Sequence, residues 1–480
     1  MTLQALKLPQ QWQWRGGVPL VAGLFGISLV CGIGGVLFAG IPALFLILTG
    51  MCTLFIPGDV RVKAYMGLAS VVGVLCAVPL LFISGFWSAL LFTALCVASF
   101  VVAGRGSLID ELSPEVVPQP ESDLRMQAKV GFDEAVMGFF LLSARVPSGH
   151  MAARMCDEAL GLEELIRKRG WDHAPETMHK TPEAPSQVNA QTARCQGMDY
   201  ERISFESEFV PDPDLPLAGE WLQHNRNNRA NAWMLRHPGP PRPWLVCIHG
   251  YRMGEAWIDF GLFNPRLLHR RMGLNLLMPT LPLHGPRRIG RLSGGHYLDG
   301  NLLELVLAQS QALWDLRRWL VWLRESEDQP QIGVYGISLG GYNTGLLTGY
   351  ERDLAFGVAS IPVVDFAEVL WRVIPPVHKQ YFEARGITED HYRDLLRAVS
   401  PLTMPSRLPQ GGRYVVAANA DRIVPVGQPA LLAQHWGVEA RWYQGSHMSI
   451  AHEFEPRMTL EQAVKQAGWS SGTGTSDEAS

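Results

Sequence analysis

Residues 16–58 carry no Asp, Glu, Lys, Arg or His, and after a short charged stretch residues 64–104 carry none either. One helical crossing of a bilayer takes about 20 apolar residues, so each run holds two. Gly, Pro or Ser interrupt the Leu, Val and Ile near residues 38–42 and 84–86, which predicts four transmembrane helices over 16–36, 40–58, 64–84 and 86–104. A soluble core does not give this pattern, because it alternates apolar with polar surface positions. Lys7 and Arg15 precede the first span, Arg61 and Lys63 separate the second from the third, and Arg105 follows the fourth. Lys and Arg are retained on the cytoplasmic side, so both ends and the large C-terminal part are expected there. Lys7 and Arg15 ahead of an apolar stretch also resemble the start of a signal peptide, but further spans follow and no A-x-A site appears. With nothing ionisable inside the spans, residues 1–110 are expected to anchor rather than to conduct.

Across all 480 residues, 47% are hydrophobic and 18% charged, with a net charge of −4. That balance excludes a disordered chain and a polybasic nucleic-acid binder. The seven cysteines, four of them in the apolar runs, follow neither a disulfide framework nor a metal-ligand spacing. No H-E-x-x-H, P-loop or dinucleotide fingerprint is present, so no metal or organic cofactor is implied. Residues 111–197 read as a helical linker or cap, with a Pro-marked start, helices over 122–145 and 150–169, and a loop over 174–190. Residues 457–480 are expected to form a C-terminal helix and a polar, disordered tail.

Over residues 198–456 short apolar segments alternate with helical ones. Strands are expected at 230–235, 244–248, 274–278, 332–335, 356–361, 414–418 and 439–443, and helices at 302–324 and 340–350. Continuous apolar runs are how strands buried on both faces look. The pattern is that of an α/β protein with a mostly parallel sheet covered by helices. Trp314, Trp319 and Trp322 on the first helix read as packing residues.

The chemistry gathers at Gly336-Ile337-Ser338-Leu339-Gly340-Gly341. A serine hydroxyl is a poor nucleophile unless a tight turn exposes it beside a base, and small residues two before and two after permit that turn. The run follows one expected strand and opens a helix. A second match, Gly468-Trp469-Ser470-Ser471-Gly472, has no strand before it and no chain left for partners, and reads as chance. Beyond the strand at 414–418 comes Asp421, and beyond the strand at 439–443 comes His447. The carboxyl ends of parallel strands share one edge of a sheet, so Ser338, Asp421 and His447 can converge. His447 would take the serine proton, Asp421 would hold the imidazole, and the amides of Leu339 and Tyr251 would face the oxyanion.

Residues 201–456 resemble the α/β-hydrolase superfamily in its serine esterase, lipase and peptidase branches. The resemblance rests on His249-Gly250, the 336–341 run, Asp421 with Val424-Pro425, and His447. It implies an α/β-hydrolase fold, with Ser338 as nucleophile, Asp421 as acid, His447 as base, and Tyr251 and Leu339 as oxyanion donors. The membrane segment and the helices before residue 198 fall outside it.

Asp365, after the strand ending at Ile361, is the alternative acid, or else a helix N-cap. His452 and His378 compete less well as base, since neither directly follows the last strand. His249 and His284 either line the site or are structural. Arg287, Arg288 and Arg291 read as a solvated surface, with an anion-holding role as the alternative. The long insertion 366–409, with Trp371, Ile374, Tyr381 and Phe382, forms either a lid or a packed helical layer. The expected function is a membrane-anchored carboxylic ester hydrolase using an acyl-enzyme, with an ester or lipid-like substrate, the bilayer as partner and no nucleic acid. Alternatives are a prolyl-oligopeptidase-type serine peptidase and an inactive membrane scaffold or sensor.

Overall fold

The computed structural model describes residues 13–469 except Pro57 and Leu112. Lys7, Ser470 and the remainder of the expected polar tail lie outside the described residues. The chain divides into two compact units. The first runs to Ala144 and takes in residues 418–427 and 442–453; the second holds residues 145–417, 428–441 and those from Phe454 on.

The first unit is built of helices: α1 (Gly17–Ser28), α2 (Gly32–Phe55), α3 (Val60–Leu75), α4 (Ala77–Ser84), α5 (Phe86–Asp110) and α6 (Leu124–Ser143). Two of them, α2 with 24 residues and α5 with 25, are long and apolar enough to cross a membrane. The α3 and α4 pair adds a third only if taken as one span bent by 55°. Among the described residues the count is therefore two or three rather than the expected four. With 12 residues, α1 is about 18 Å long, short of the ~30 Å hydrocarbon core. The breaks explain the difference. The first falls at residues 29–31, before Gly32 at φ 63°, not at 38–42. There Pro42 cannot donate to the carbonyl four residues back, and the chain widens into a π turn over Val36–Gly40 and continues. Pro79 has the same effect on the carbonyl of Leu75, where α3 ends and the bend begins. The break at Gly85, φ 80°, lies where the sequence placed it.

Inside this unit Ala22, Ala39, Leu46, Met66, Phe92 and Cys96 form the core, while Leu24, Leu37, Leu44, Phe82, Trp87 and Leu90 are exposed. The sixth helix lies outside the apolar runs. It starts at Asp123, whose side chain accepts from the Met126 amide as an N-cap, and it packs on α3 and α5. The approach to α5 is close: a Cβ on Gly104 would lie 2.0 Å from the Gln127 carbonyl oxygen.

The second unit carries a nine-stranded sheet in the order β1-β2-β3-β5-β4-β6-β7-β8-β9. The strands are β1 (Asn189–Cys195), β2 (Met198–Glu206), β3 (Arg229–Leu235), β4 (Trp244–Ile248), β5 (Asn275–Thr280), β6 (Ile332–Ile337), β7 (Phe356–Ser360), β8 (Arg413–Ala418) and β9 (Ala440–Tyr443). Pairings from β1 through β3 to β5 are antiparallel, and those from β5 through β4, β6 and β7 to β8 are parallel. The seven expected strands are present within a residue or two. The hairpin of β1 and β2 is additional and starts the sheet at Asn189, inside the segment read as linker. Its edge strand is mostly exposed, so it lacks the apolar run that marks the central strands. Its turn, Gln196-Gly197, has both φ values positive, as a type I′ hairpin turn requires.

Helices α7 (Gly149–Arg169), α8 (Glu304–Ser326) and α9 (Leu339–Thr348) belong to this unit. Trp319 of α8 packs on Phe205 at 4.3 Å, and the Trp314 indole N–H donates to the Ser207 carbonyl, so these tryptophans are packing residues. The insertion folds as helices Phe366–Val373, Pro376–Glu383 and Glu389–Leu395. Trp371 stacks on Tyr392 at 5.4 Å, and the buried Tyr392 hydroxyl donates to the Leu302 carbonyl. These side chains form a packed layer.

Replacing Gly104 by Val should destabilise the first unit by about 1–3 kcal/mol, the cost of forcing an overpacked contact. A lowered thermal unfolding temperature of the purified protein would register it.

Candidate active site

Strand β6 ends at Ile337, α9 begins at Leu339, and Ser338 between them has φ 58° and ψ −116°. A non-glycine residue held there costs about 1–3 kcal/mol of strain. Its surroundings leave the turn no alternative. A Cβ on Gly336 would stand 2.0 Å from the Gly340 carbonyl oxygen, and one on Gly340 only 1.8 Å from that of Ile248, the last residue of β4. The Ser338 amide donates to the Ser360 carbonyl at 2.9 Å, fastening the turn to the end of β7. The serine is 9% exposed. Leu339 is the first residue of α9, so its amide is one of those without an acceptor inside the helix.

The loop leaving β4 lies against the serine: a Cβ on Gly250 would be 3.5 Å from Ser338 Cβ. Tyr251 follows, its phenol pushed up by burial, with the Arg252 guanidinium 4.7 Å from its ring centre. His249 is a structural residue. Its Nδ1 lies 2.8 Å from the Gly250 carbonyl oxygen and its Nε2 accepts from the Leu281 amide at 3.0 Å, which ties the ends of β4 and β5 together. Burial pulls its pKa down to about 4, so it stays neutral. His284, also held well below the usual range by burial, has Nδ1 2.9 Å from the Pro282 carbonyl oxygen.

In the first unit, the segments following β8 and β9 bring Asp421 and His447 together. Asp421 Oδ1 accepts from the amides of Ile423 at 2.9 Å and Val424 at 2.8 Å, which fixes the carboxylate in its own turn. Its Oδ2 lies 2.6 Å from His447 Nδ1. That contact assigns the proton to Nδ1 and leaves Nε2 as the acceptor. Both side chains are buried. Burial opposes the charged imidazole, but the charge and hydrogen bond of Asp421 and the charge of Asp133 outweigh it, and the His447 pKa is raised.

Asp133, on α6, is a member of this cluster that the sequence reading missed. It is fully buried, and burial, followed by the repulsion of Asp421, pushes its pKa up to about 6. The available signal was its position: Met126, Val130, Asp133 and Met137 share one helical stripe, and a carboxylate on an apolar stripe calls for a partner.

The rival assignments resolve differently. Asp365 caps the Phe366–Val373 helix, accepting from the Ala367 amide at 2.9 Å and the Glu368 amide at 3.2 Å, and pairs with Arg393 at 2.6 Å. His378 Nε2 lies 2.9 Å from the Pro147 carbonyl oxygen, and His452 sits in the 3-10 turn Ile450–His452. Arg287 corrects the expectation of a solvated surface. It is 0% exposed, pairs with Asp315 at 2.7 Å and donates to the carbonyls of Asn227 and Thr280. It is therefore a buried cross-link, with its donors occupied. Arg288 pairs with Glu255 at 2.8 Å.

No family model matches the chain. Two relatives come from Mycobacterium tuberculosis: "Uncharacterized protein MT2702" of strain CDC 1551 / Oshkosh and "Uncharacterized protein Rv2627c" of strain ATCC 25618 / H37Rv. Each is 36% identical over 359 residues, 74% of this chain and 86% of the relative. Among solved structures, acetyl xylan esterase 1 from Thermoanaerobacterium sp. JW/SL YS485 is 11% identical, with a TM-score of 0.43 over 62% of this chain and 92% of that one. An acylaminoacyl peptidase of Pyrococcus horikoshii is 13% identical, with a TM-score of 0.35 over 57% of this chain and 41% of that one. Likenesses this distant leave the functional argument to the site.

The raised His447 pKa has a consequence for stability. A group protonated more readily when folded adds stability that is complete below its unfolded pKa and fades as pH rises through the folded one. Urea unfolding should therefore show stability falling with pH from about 6.5 upward, and Asp421→Asn should flatten that slope.

Proposed function

We propose that this chain, which belongs to the same family as the two Mycobacterium tuberculosis proteins, is a membrane-anchored serine hydrolase acting on carboxylic esters. The observation that carries the reading is the backbone of Ser338. A serine in a strained left-handed turn between a buried strand and a helix, with glycines forced on both sides, is the form in which a hydroxyl is presented for attack. The hydrogen-bonded pair of His447 and Asp421, with Nε2 left as acceptor, supplies the second half. Ser338 and Asp421 each follow a strand of the parallel part of the sheet, whose carboxyl ends open on one edge, and His447 follows β9, the neighbour of β8.

In this reading Ser338 Oγ attacks the ester carbonyl carbon while His447 Nε2 takes its proton. The amides of Leu339 and Tyr251 receive the negative charge that develops on the carbonyl oxygen. The imidazolium, held by Asp421, then gives its proton to the departing alkoxide, and the acyl group remains on Ser338. Water attacks the acyl-enzyme by the same route, with His447 accepting its proton and returning one to the serine.

Anchoring is supported by the apolar outer surface of the first unit together with the length of α2 and α5. Lys63, at the start of α3, pairs with Asp110 at the end of α5 at 2.9 Å, so the end of α5 from which the chain continues to α6 lies level with Arg61 and Lys63. By the retention of Lys and Arg this end is cytoplasmic. A substrate that partitions into the membrane, such as a lipid-like ester, suits that placement.

Fluorophosphonate labelling in native membranes tests the reading. Wild type should label, Ser338→Ala should not, and Asp365→Asn should label as wild type. Asp421→Asn should slow turnover of an acyl ester by about three to four orders of magnitude, since the imidazole loses the partner that sets its tautomer. Absence of wild-type labelling beside a reactive control hydrolase would overturn the reading; turnover of peptide amides but not esters would make the chain a peptidase.

A further inference from the structure

Two adjacent buried acids on α6 face different neighbours. Glu134 accepts from the Ser107 hydroxyl near the C-terminal end of α5. Asp133 turns to the segments that carry the acid and the base. Its Oδ1 accepts from Ser446 Oγ at 2.8 Å and the Met448 amide at 2.9 Å, and its Oδ2 accepts from the His447 amide at 2.8 Å and the Arg422 amide at 3.1 Å. Four donors saturate a carboxylate, and they come from both loops, one next to Asp421 and one at His447 itself.

The surroundings repeat this arrangement. Met126 and Val130 of α6 pack on Ala420, the residue before Asp421. Lys129 donates to the Gln444 carbonyl at 2.8 Å and pairs with Glu453 at 2.6 Å, and Ser446 Oγ lies 3.1 Å from the Lys129 carbonyl oxygen. The Arg422 guanidinium reaches Glu111, just past α5, at 3.1 Å.

We infer that Asp133 is a positioning residue: from α6 it clamps the Arg422 and His447 backbones together, and so fixes the hydrogen bond between Asp421 and His447. This rests on the hydrolase reading, because it assigns Asp133 a part in the proton transfer made by that pair. Its negative charge also favours the imidazolium, in the same sense as Asp421. The charged groups around it are Asp421, His447 and Arg422 on the two loops, Lys129 and Glu134 on α6, and Glu111 beyond α5.

Asp133→Asn is nearly isosteric but replaces an acceptor with a donor that faces other donors. In the full-length protein, with an aryl acyl ester as probe, kcat should fall roughly 10- to 100-fold, the effect of a small misplacement of reacting groups, with KM little changed. The acid limb of the pH profile should move to lower pH, because His447 loses a neighbouring negative charge. By hydrogen exchange, the amides of residues 422, 447 and 448 should lose protection while those within α6 keep it. Ser446→Ala, which removes one donor of the four, guards against a folding failure and should act in the same direction more weakly. Unchanged kcat and acid limb in Asp133→Asn, with Ser338→Ala inactive, would overturn the clamp and leave the hydrolase standing. A fall in kcat with an unmoved acid limb and exchange raised throughout α6 would reduce Asp133 to a packing contact. An unlabelled, inactive wild type would overturn the hydrolase reading and the clamp with it.

Discussion

The tightest constraint in the second unit is the approach of the turn after β6 to the end of β4. With no room for a Cβ at residue 340, the first turn of α9 is pressed against the Ile248 carbonyl, and Ser338 has to take a left-handed backbone to connect strand to helix. The remainder of the sheet serves that contact. Strands β4, β6 and β7 are buried on both faces, so the turn rests on a base that cannot relax away from it. His249 adds a hydrogen-bonded tie from β4 to the residue after β5. A strained serine persists only where its surroundings over-determine it, and here they do so through three adjacent strands.

Features that rest on local chemistry were legible in the sequence. The central strands announce themselves as unbroken apolar runs, and Gly336, Ser338 and Gly340 follow a spacing that only a tight strand-to-helix turn requires. Asp421 and His447 were legible for a related reason: each closes a segment that follows a buried strand, and strand order turns positions 26 residues apart into neighbours at 2.6 Å. The charge-free runs marked the apolar helices, because exclusion of charge is a property of each position and needs no knowledge of packing.

What escaped depends on partners distant in sequence. Arg287 sits in a loop rich in arginine and resembles any solvated cation until Asp315, on α8, is placed beside it. The β1 and β2 hairpin lies at a sheet edge, where polar residues suffice and no apolar run betrays a strand. The break expected near residues 38–42 lies elsewhere because proline has two outcomes. At Pro42 the helix accommodates the missing donor by a wider turn, while near Pro79 it bends, and composition is the same in both cases. Asp133 was marked only by its place on the apolar stripe of its helix, a signal that calls for a partner without saying which distant loops supply it.

Each unit has its own source of rigidity. The Ser338 turn is braced by sheet strands of the second unit, through van der Waals exclusion at glycines. Asp421 and His447 are braced by a helix of the first unit, through hydrogen bonds to a buried carboxylate. These two kinds of support respond differently to change. Exclusion at Gly336 or Gly340 tolerates no side chain at any pH, whereas a carboxylate with a pKa near 6 accepts four donors only while ionised. Acidification would therefore act on the second brace first, by protonating Asp133. The negative charge of Asp133 and the positive charge of His447 each favour the other. A helix outside the sheet thereby gains influence over the pH at which the imidazole serves as a base.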